Sequence, residues 1–400
     1  MSETDRYAVL TRVGPGTPMG GYMRHFWQPV AALAELTDEP KRVRVLGEDL
    51  VLFKSRSGAF GLVQERCPHR SASLACGMIE DKHIRCSYHG WKFDLEGQCV
   101  ETPAERPDSK LKERVKISGY PVQECGGLLW AWLGKKPAPL LPRFEYLVGE
   151  GFDRDMTISA MPCNWLQIAE NNMDPHHVEY LHLMYTNYVL EKQGRPPMQM
   201  RHHAKVDYDL FEHGIVKRRL WEGDSEDSEE WRIGHPVIWP GTLVVTYPNG
   251  VLQAQIRVPQ DDTNTIIYWY NARPRPAGQP PKHGVPVGDN PFKDENGKFY
   301  RDNLNGQDMM VMLTQGVIAD RSLETLGESD RGVVLYRRVL LEQIDRIARG
   351  EEPMGVVRDE AGNTPFIPLP RESHVGYSFE GVDAAPGEKW AEMAPKEAAE

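Results

Sequence analysis

Cysteine and histidine occur together twice in this chain, as Cys67-Pro68-His69 and as Cys86-Ser87-Tyr88-His89, with sixteen residues between the two groups. Each group offers one thiolate and one imidazole from a short loop. A structural zinc site of the two-cysteine, two-histidine type keeps like ligands together. Here the pairs are mixed, which suits a cluster of two metal atoms with each loop feeding one ligand to each metal. A mixed Cys/His zinc site is the competing reading. Cys76, Cys99, Cys125 and Cys163 have no such histidine neighbour and read as small buried apolar residues, kept reduced.

A second group of ligand types lies in NWLQIAENNMDPHHVEYLH (164–182), where Asp174 is followed by His177 and His182. Two histidines and one carboxylate can hold ferrous iron on one face and leave positions open for oxygen and substrate. The spacing raises a problem, because residues five apart on a regular helix point about 140° apart. Both rings reach one metal only if the helix ends or widens locally, as π-type distortions do at functional sites. Two ordinary histidines are the alternative. The third ligand is open on spacing alone: Asp308 precedes an apolar helical run, and Asp302, Asp320 and Asp330 compete with it.

These groups need elements to position them. Residues 42–66 alternate apolar and β-branched runs with Gly-Glu-Asp and Ser-Gly turns, which predicts consecutive antiparallel strands. Residues 83–133 continue in that style and end in the aromatic segment GGLLWAWLG. The proline-rich KKPAPLLPRF (135–144) reads as a connector, placing a boundary near residue 150. Asp174-Pro175 is a good helix start, with Asp capping and Pro at the first helical position. Strand-like segments return over 203–273. Helices are expected around Gly306–Gln315 and over Val333–Ala348, the latter with Ser329 as N-cap and Gly350 past its end. The fold class is therefore α+β, with a small β domain (1–150), a larger domain of antiparallel sheet and helices (151–382), and a loose polar tail (383–400).

The chain has 400 residues, 40% of them hydrophobic, with 47 basic against 58 acidic side chains and a net charge of −11. That balance argues against a general nucleic-acid or anionic-membrane binder. The polar start, MSETDRYAVL, is not a secretion signal, so a cytoplasmic protein is expected.

CPHRSA and CSYHGWKF resemble the Rieske proteins, in which two histidines replace two cysteines on one iron of a [2Fe–2S] cluster. Ala72 and Tyr88 stand where the respiratory members carry a further disulfide, so the likeness is to the soluble, lower-potential type. With FWQPVA, the 164–182 segment and GQDMMVMLTQGVIADRSLETLGESDRGVVLYRR, the chain resembles the Rieske non-haem iron oxygenases, in particular the catalytic (alpha) subunits of the phthalate dioxygenase-like group. The resemblance covers roughly residues 10–350.

It implies an all-β Rieske domain with an N-terminal helical extension, followed by a helix-grip (START-like) catalytic domain. It assigns Cys67, His69, Cys86 and His89 to the cluster and His177, His182 and Asp308 to the iron. Asp174 becomes a bridge whose carboxylate hydrogen-bonds His177 and, across a subunit boundary, His89. Asn171 lies near the iron without being a firm ligand, His176 is a supporting or buried histidine, and Glu179 and Tyr180 are helix surface and packing. The implied activity is O2-dependent hydroxylation of an aromatic carboxylic acid, with electrons from NADH or NADPH arriving through a separate reductase and, in some systems, a ferredoxin. O-demethylation of a methoxylated lignin-type acid is the alternative. A Rieske electron-transfer protein without oxygenase activity is the reading from another class. A trimer with head-to-tail electron transfer is implied as well. Candidate contacts for a substrate carboxylate are Arg218, Arg232 and His213, with Arg219 and Arg257; Trp231, Trp239, Tyr268, Trp269 and Tyr270 are candidate pocket walls.

Overall fold

In a computed structural model the chain is described over residues 3–373, so the tail expected from residue 383 lies outside the described residues. The chain opens with helices α1 (Glu3–Thr11) and α2 (Pro18–Met23) and then enters strands β1 (Gln28–Ala32), β2 (Lys41–Val45), β3 (Glu48–Lys54) and β4 (Phe60–Gln64). The hairpins expected over 42–66 are these last three, paired antiparallel in register. Short strands β5 (Met78–Ile79), β6 (His83–Arg85), β7 (Lys92–Asp94) and β8 (Cys99–Glu101) form a sheet of their own. Helix α3 (Leu111–Arg114) and strands β9 (Gly119–Tyr120), β10 (Val122–Cys125) and β11 (Leu128–Ala131) complete this part. A small core of Val51, Phe53, Trp91 and Phe93 includes Cys67 and Cys86.

The proline-rich segment carries no regular structure. It is held instead by chain from far downstream, with Leu140 N donating to Val357 O and Arg143 N to Asn363 Oδ1. Past α4 (Glu145–Val148) comes the large sheet, made of β12 (Phe152–Met161), β13 (His203–Phe211), β14 (Gly214–Trp221), β15 (His235–Ile238), β16 (Thr242–Thr246), β17 (Leu252–Pro259), β18 (Thr265–Pro274) and β19 (Val287–Asp289). Its order is β13-β14-β15-β16-β17-β18-β12-β19. Helices α5 (Trp165–Asn171), α6 (Thr186–Lys192), α7 (Glu229–Arg232), α8 (Leu304–Thr314) and α9 (Arg331–Ala348) accompany it.

Residues opposite one another in an antiparallel pair share a face. The register therefore puts Lys217 and His235, then Ile215, Val237, Leu243, Gln255 and Trp269, and also Arg257, on one side of this sheet. Trp269 packs with Ile168 of α5 and with Met309 and Met312 of α8, so that side faces the helices. The other side, with Ala254, Ile256, Tyr268 and Tyr270, shares one core with Leu128 and Trp130 of β11. The two parts of the chain thus meet through a continuous apolar layer.

Two local expectations need correcting. Helix α9 begins at Arg331 behind a single 3-10 turn (Glu328–Asp330), and Asp330, not Ser329, occupies the cap position, without a side-chain cap bond. Gly350 does follow the helix with φ +80. Cys76 is exposed, whereas Cys99, Cys125 and Cys163 are buried; all are free thiols. Among the described residues no helix is long and apolar enough to cross a membrane.

Candidate metal centres

The Cys67 loop leaves β4 and closes on itself, with Ser71 N donating to Cys67 O and Cys67 N to Ala72 O. The Cys86 loop joins β6 to β7, and Gly90 N donates to Cys86 O. That turn needs φ +72 at position 90, where glycine has no side chain to clash. Both thiols are buried, and the two imidazoles meet with ring centroids 4.4 Å apart. His69 also stacks on Trp91 at 4.7 Å. Burial, helped by nearby Cys86, pushes the Cys67 thiol up to about 11. A metal deprotonates a coordinating thiol outright, and that is the chemistry a buried thiol pair beside two imidazoles suits.

The second centre is built on a broken helix. Helix α5 starts at the Asn164 cap and ends at Asn171. After a turn the backbone resumes as a π-helix over Val178–Tyr185. The i→i+5 pattern of a π-helix brings residues five apart into line, which removes the 140° problem. His177 and His182 accordingly face each other with centroids 5.0 Å apart. Helix α8 delivers Asp308, whose Oδ1 lies 3.6 Å from His177 Nε2 and 3.2 Å from His182 Nε2. Helices α5 and α8 are tied by Gln167, which donates to the carbonyls of Met312 and Gly316. Gly306 lets the segment entering α8 fold tightly against the first turn of the helix, since a Cβ there would sit 2.6 Å from Tyr300 O.

The hydrogen-bond network fixes which imidazole nitrogen is free. His177 Nδ1 lies 2.6 Å from the main-chain oxygen of Asp174, which can only accept, so Nδ1 carries the proton. For His182 the partner is Gln307. The Gln307 amide nitrogen donates to Thr186 Oγ1 and Arg301 O, so its oxygen faces His182 Nδ1 at 2.9 Å and accepts. Both Nε2 lone pairs therefore converge with Asp308 and could hold a metal. Burial lowers His177 to about 4. Burial also opposes charge on His182, but Asp308 outweighs it and raises that ring. The same imidazoles, against burial, hold Asp308 below the usual carboxylate range.

Asp174 behaves differently from the expectation. Its carboxylate accepts from the main-chain N of His176 at 2.8 Å and of His177 at 3.4 Å, capping the turn. It stays 3.8 Å from His177 Nδ1, which is bonded through the Asp174 backbone instead. Asn171 Nδ2 reaches Asp308 Oδ1 at 3.4 Å. Glu179 is not helix surface: it is buried and accepts from His176, His202 and His203, which spends its oxygens inside the protein. Tyr180 is exposed.

The candidate substrate residues divide by strand face. Arg218 points away from the helix side, paired with Asp209 at 2.6 Å and donating to the carbonyls of Trp231 and Arg232. Arg232 is exposed on α7. His213 packs edge-on against Phe144 and Phe211, and burial lowers its pKa. Arg219 is buried against Glu230. Arg257 is different. It is 4% exposed, and it donates to the main-chain and side-chain oxygens of Gln255. Its Nε has no partner among the described residues, and its charge acts on Asp308. Lys217, 3% exposed, was not singled out from the sequence; burial, then Arg219, pushes its amine down to about 7. Of the aromatic candidates, Tyr268 and Tyr270 face the first part of the chain, and Trp269 is core. Trp239 borders a narrow apolar cavity of about 50 Å³ that also touches Arg257, and half-buried Trp231 borders a surface hollow beside His176 and His203.

Residues 26–121 match the Rieske [2Fe-2S] domain family, and residues 295–367 match a family described as LigXa C-terminal domain like. The chain is 41% identical over 390 residues to the 5,5'-dehydrodivanillate O-demethylase oxygenase subunit of Sphingobium sp. (strain NBRC 103272 / SYK-6), covering 96% of this chain and 90% of the relative. The chain belongs to the Rieske non-haem iron oxygenases. It is also 32% identical over 389 residues to the phthalate 4,5-dioxygenase oxygenase subunit of Pseudomonas putida, covering 87% of each chain. The fold is shared with Pseudomonas putida CBB5 NdmA, at a TM-score of 0.62 and 21% identity over 82% of this chain and 92% of that one. The terminal oxygenase of carbazole 1,9a-dioxygenase from Novosphingobium sp. KA1 matches equally well, at a TM-score of 0.62 and 19% identity over 85% and 96% of the two chains. As a Rieske oxygenase subunit the protein uses a [2Fe–2S] cluster, a mononuclear iron and O2, with electrons supplied through a reductase, and it works as a multimer.

Proposed function

We propose that this protein is the terminal oxygenase of a cytoplasmic multicomponent system that removes a methyl group from a methoxylated aromatic acid. Residues 1–150 serve as its electron-transfer unit and residues 151–382 as its catalytic unit. Cys67, Cys86, His69 and His89 hold the cluster, and His177, His182 and Asp308 hold the iron. The observation that carries this reading is the convergence of the His177 and His182 Nε2 atoms on Asp308, within the field of the buried Arg257 guanidinium, which has no carboxylate of the described residues within ion-pair distance. When bound, the iron supplies activation of O2 with electrons relayed from the cluster.

The surrounding residues do the remaining work. Arg257 takes the substrate carboxylate, for which its fork geometry is suited. Gln307 and the Asp174 carbonyl hold both imidazoles in the liganding tautomer. The Asp174 side chain, one third of it exposed, is left to meet His89 of a neighbouring subunit in a head-to-tail trimer. The overall reaction balances as methyl ether, O2, two electrons and two protons giving phenol, formaldehyde and water.

Support for demethylation is the 41% identity to an O-demethylase subunit. Ring hydroxylation is the second reading, favoured by relatives named phthalate 4,5-dioxygenase and 3-chlorobenzoate-3,4-dioxygenase oxygenase subunits at 32% and 31% identity. Incubating the protein with a reductase, NADH and a panel of methoxybenzoates, phthalates and two-ring acids separates the two. Demethylation predicts formaldehyde stoichiometric with O2 uptake. Uptake on a phthalate with a hydroxylated ring and no formaldehyde contradicts it.

A further inference from the structure

Three imidazoles and a carboxylate meet beside the turn that carries His177, and the iron site uses none of them. Glu179 is buried in the π-helix, and its Oε1 lies 3.1 Å from His176 Nδ1 and 2.5 Å from His203 Nδ1. His202 Nδ1 lies 2.8 Å from the other oxygen, Oε2. Consecutive residues of a helical turn point about 100° apart, so His176 is turned away from the centre that His177 faces.

Satisfying one carboxylate does not require this many rings. Two of them come from adjacent positions at the start of β13, where a regular strand would send neighbouring side chains to opposite faces. The register shifts between His203 and Lys205, and such a bulge re-aims side chains. The His203 side chain is 0% exposed and its Nε2 has no partner among the described residues, so the ring makes its polar contact through Nδ1 alone. Burial, then the charge of Arg219, lowers His203 to about 3, so the ring is neutral and has a lone pair to give. Arg219 itself is paired with Glu230.

The donor atoms of His176, Glu179 and His203 all lie within 4.8 Å of one another. Two imidazoles and a carboxylate are a zinc donor set, and zinc binds such sites more tightly than ferrous iron. A tetrahedral zinc ion holds its ligands roughly 3.4 Å apart, so His203 and Glu179 must separate by about 1 Å, which the torsions of the Glu179 side chain supply. A carboxylate that binds a metal is in turn held by a hydrogen bond, and His202 stands at that place on Oε2. The remaining side opens on the surface hollow of about 540 Å³ that His176 and His203 border, a path for the ion and its water.

We propose that His176, Glu179 and His203 bind one zinc ion, with His202 holding the carboxylate and water in the fourth position. Binding moves the ring proton of His176 and of His203 from Nδ1 to Nε2. The ion ties the π-helix to the start of β13.

The test is zinc uptake by the purified holoprotein in equilibrium dialysis, with zinc and iron counted per chain. The wild type is expected to take up about one zinc per chain with a dissociation constant of about 10 μM or below, and to keep its iron. His203→Asn weakens that uptake at least about 100-fold, and His202→Asn about 10- to 100-fold. Uptake weaker than about 10 μM, uptake matched by loss of iron, or uptake unchanged in either variant overturns the proposal. If His203→Asn does not fold, X-ray absorption at the zinc edge of the wild type decides. Two imidazoles in the zinc shell support the site, and fewer than two contradict it.

Discussion

Gln307 shows how much of this site depends on a residue that is not itself a candidate metal ligand. Its amide donates twice, to Thr186 and to the Arg301 carbonyl, and so presents oxygen to His182 Nδ1. Gln307→Leu removes that acceptor and frees His182 to place its proton on Nε2, where a metal would sit. Loss of such a supporting hydrogen bond is expected to weaken iron binding about 10- to 100-fold. Titration of the apoprotein with ferrous iron, followed by retained metal after gel filtration, measures it; unchanged affinity would mean that the tautomer is set elsewhere.

At this scale the histidines were legible in the sequence because ligand type and spacing are local properties. Gln307 was not, because its role exists only where α8 meets the π-helix. Lys217 left a signal that went unused. In the strand Gly214–Trp221, alternation puts Lys217 and Arg219 with Ile215 on one face and Arg218 on the other. Once the helix-facing side is known, the inward cations follow.

At the scale of elements, the site is a junction of α5, the π-helix and α8, and its rigidity comes from buried ion pairs behind it. Glu170, on the last turn of α5, accepts from Arg337 Nε at 2.6 Å and from Arg321 Nη2 at 2.7 Å, joining α5 to α9 and to the 317–326 segment. Arg337 is 2% exposed and is also paired with Glu324. Glu170→Ala would leave two buried guanidinium groups short of a carboxylate. Breaking a buried pair on one side costs about 3–5 kcal/mol, so thermal unfolding should come several degrees earlier; a loss below about 1 kcal/mol would show that Glu324 alone suffices.

The elements were mostly readable, since the strands follow apolar alternation and turn residues. The interruption between Asn171 and Val178 was readable from Asp174-Pro175 as a helix start, and the widening after it only as a requirement imposed by two histidines five apart. The start of α9 was misread, because Ser329 looks like a cap but is absorbed into a 3-10 turn whose geometry depends on the preceding loop.

At the scale of the molecule, the cluster-bearing β structure and the catalytic sheet share an apolar core through Trp130, Ile256 and Tyr270. The cluster loops present His69 at an exposed edge, and Asp174 keeps a third of its side chain open. That arrangement suits electron delivery between subunits, since both ends of the transfer are at the surface. Whole-molecule charge and composition argued against some partner classes but did not identify a substrate, because a pocket is set by a few side chains that totals over 47 basic residues do not resolve.

The most direct measurement of the central claim is iron and acid-labile sulfide per chain, with electron paramagnetic resonance of the reduced protein, for the wild type and His182→Ala. The wild type should contain about three irons and about two sulfides with a Rieske signal, and the variant about two irons and about two sulfides with that signal intact and no substrate-dependent O2 uptake. A wild-type protein with zinc and no sulfide, or a variant that keeps its third iron and its turnover, would contradict the account.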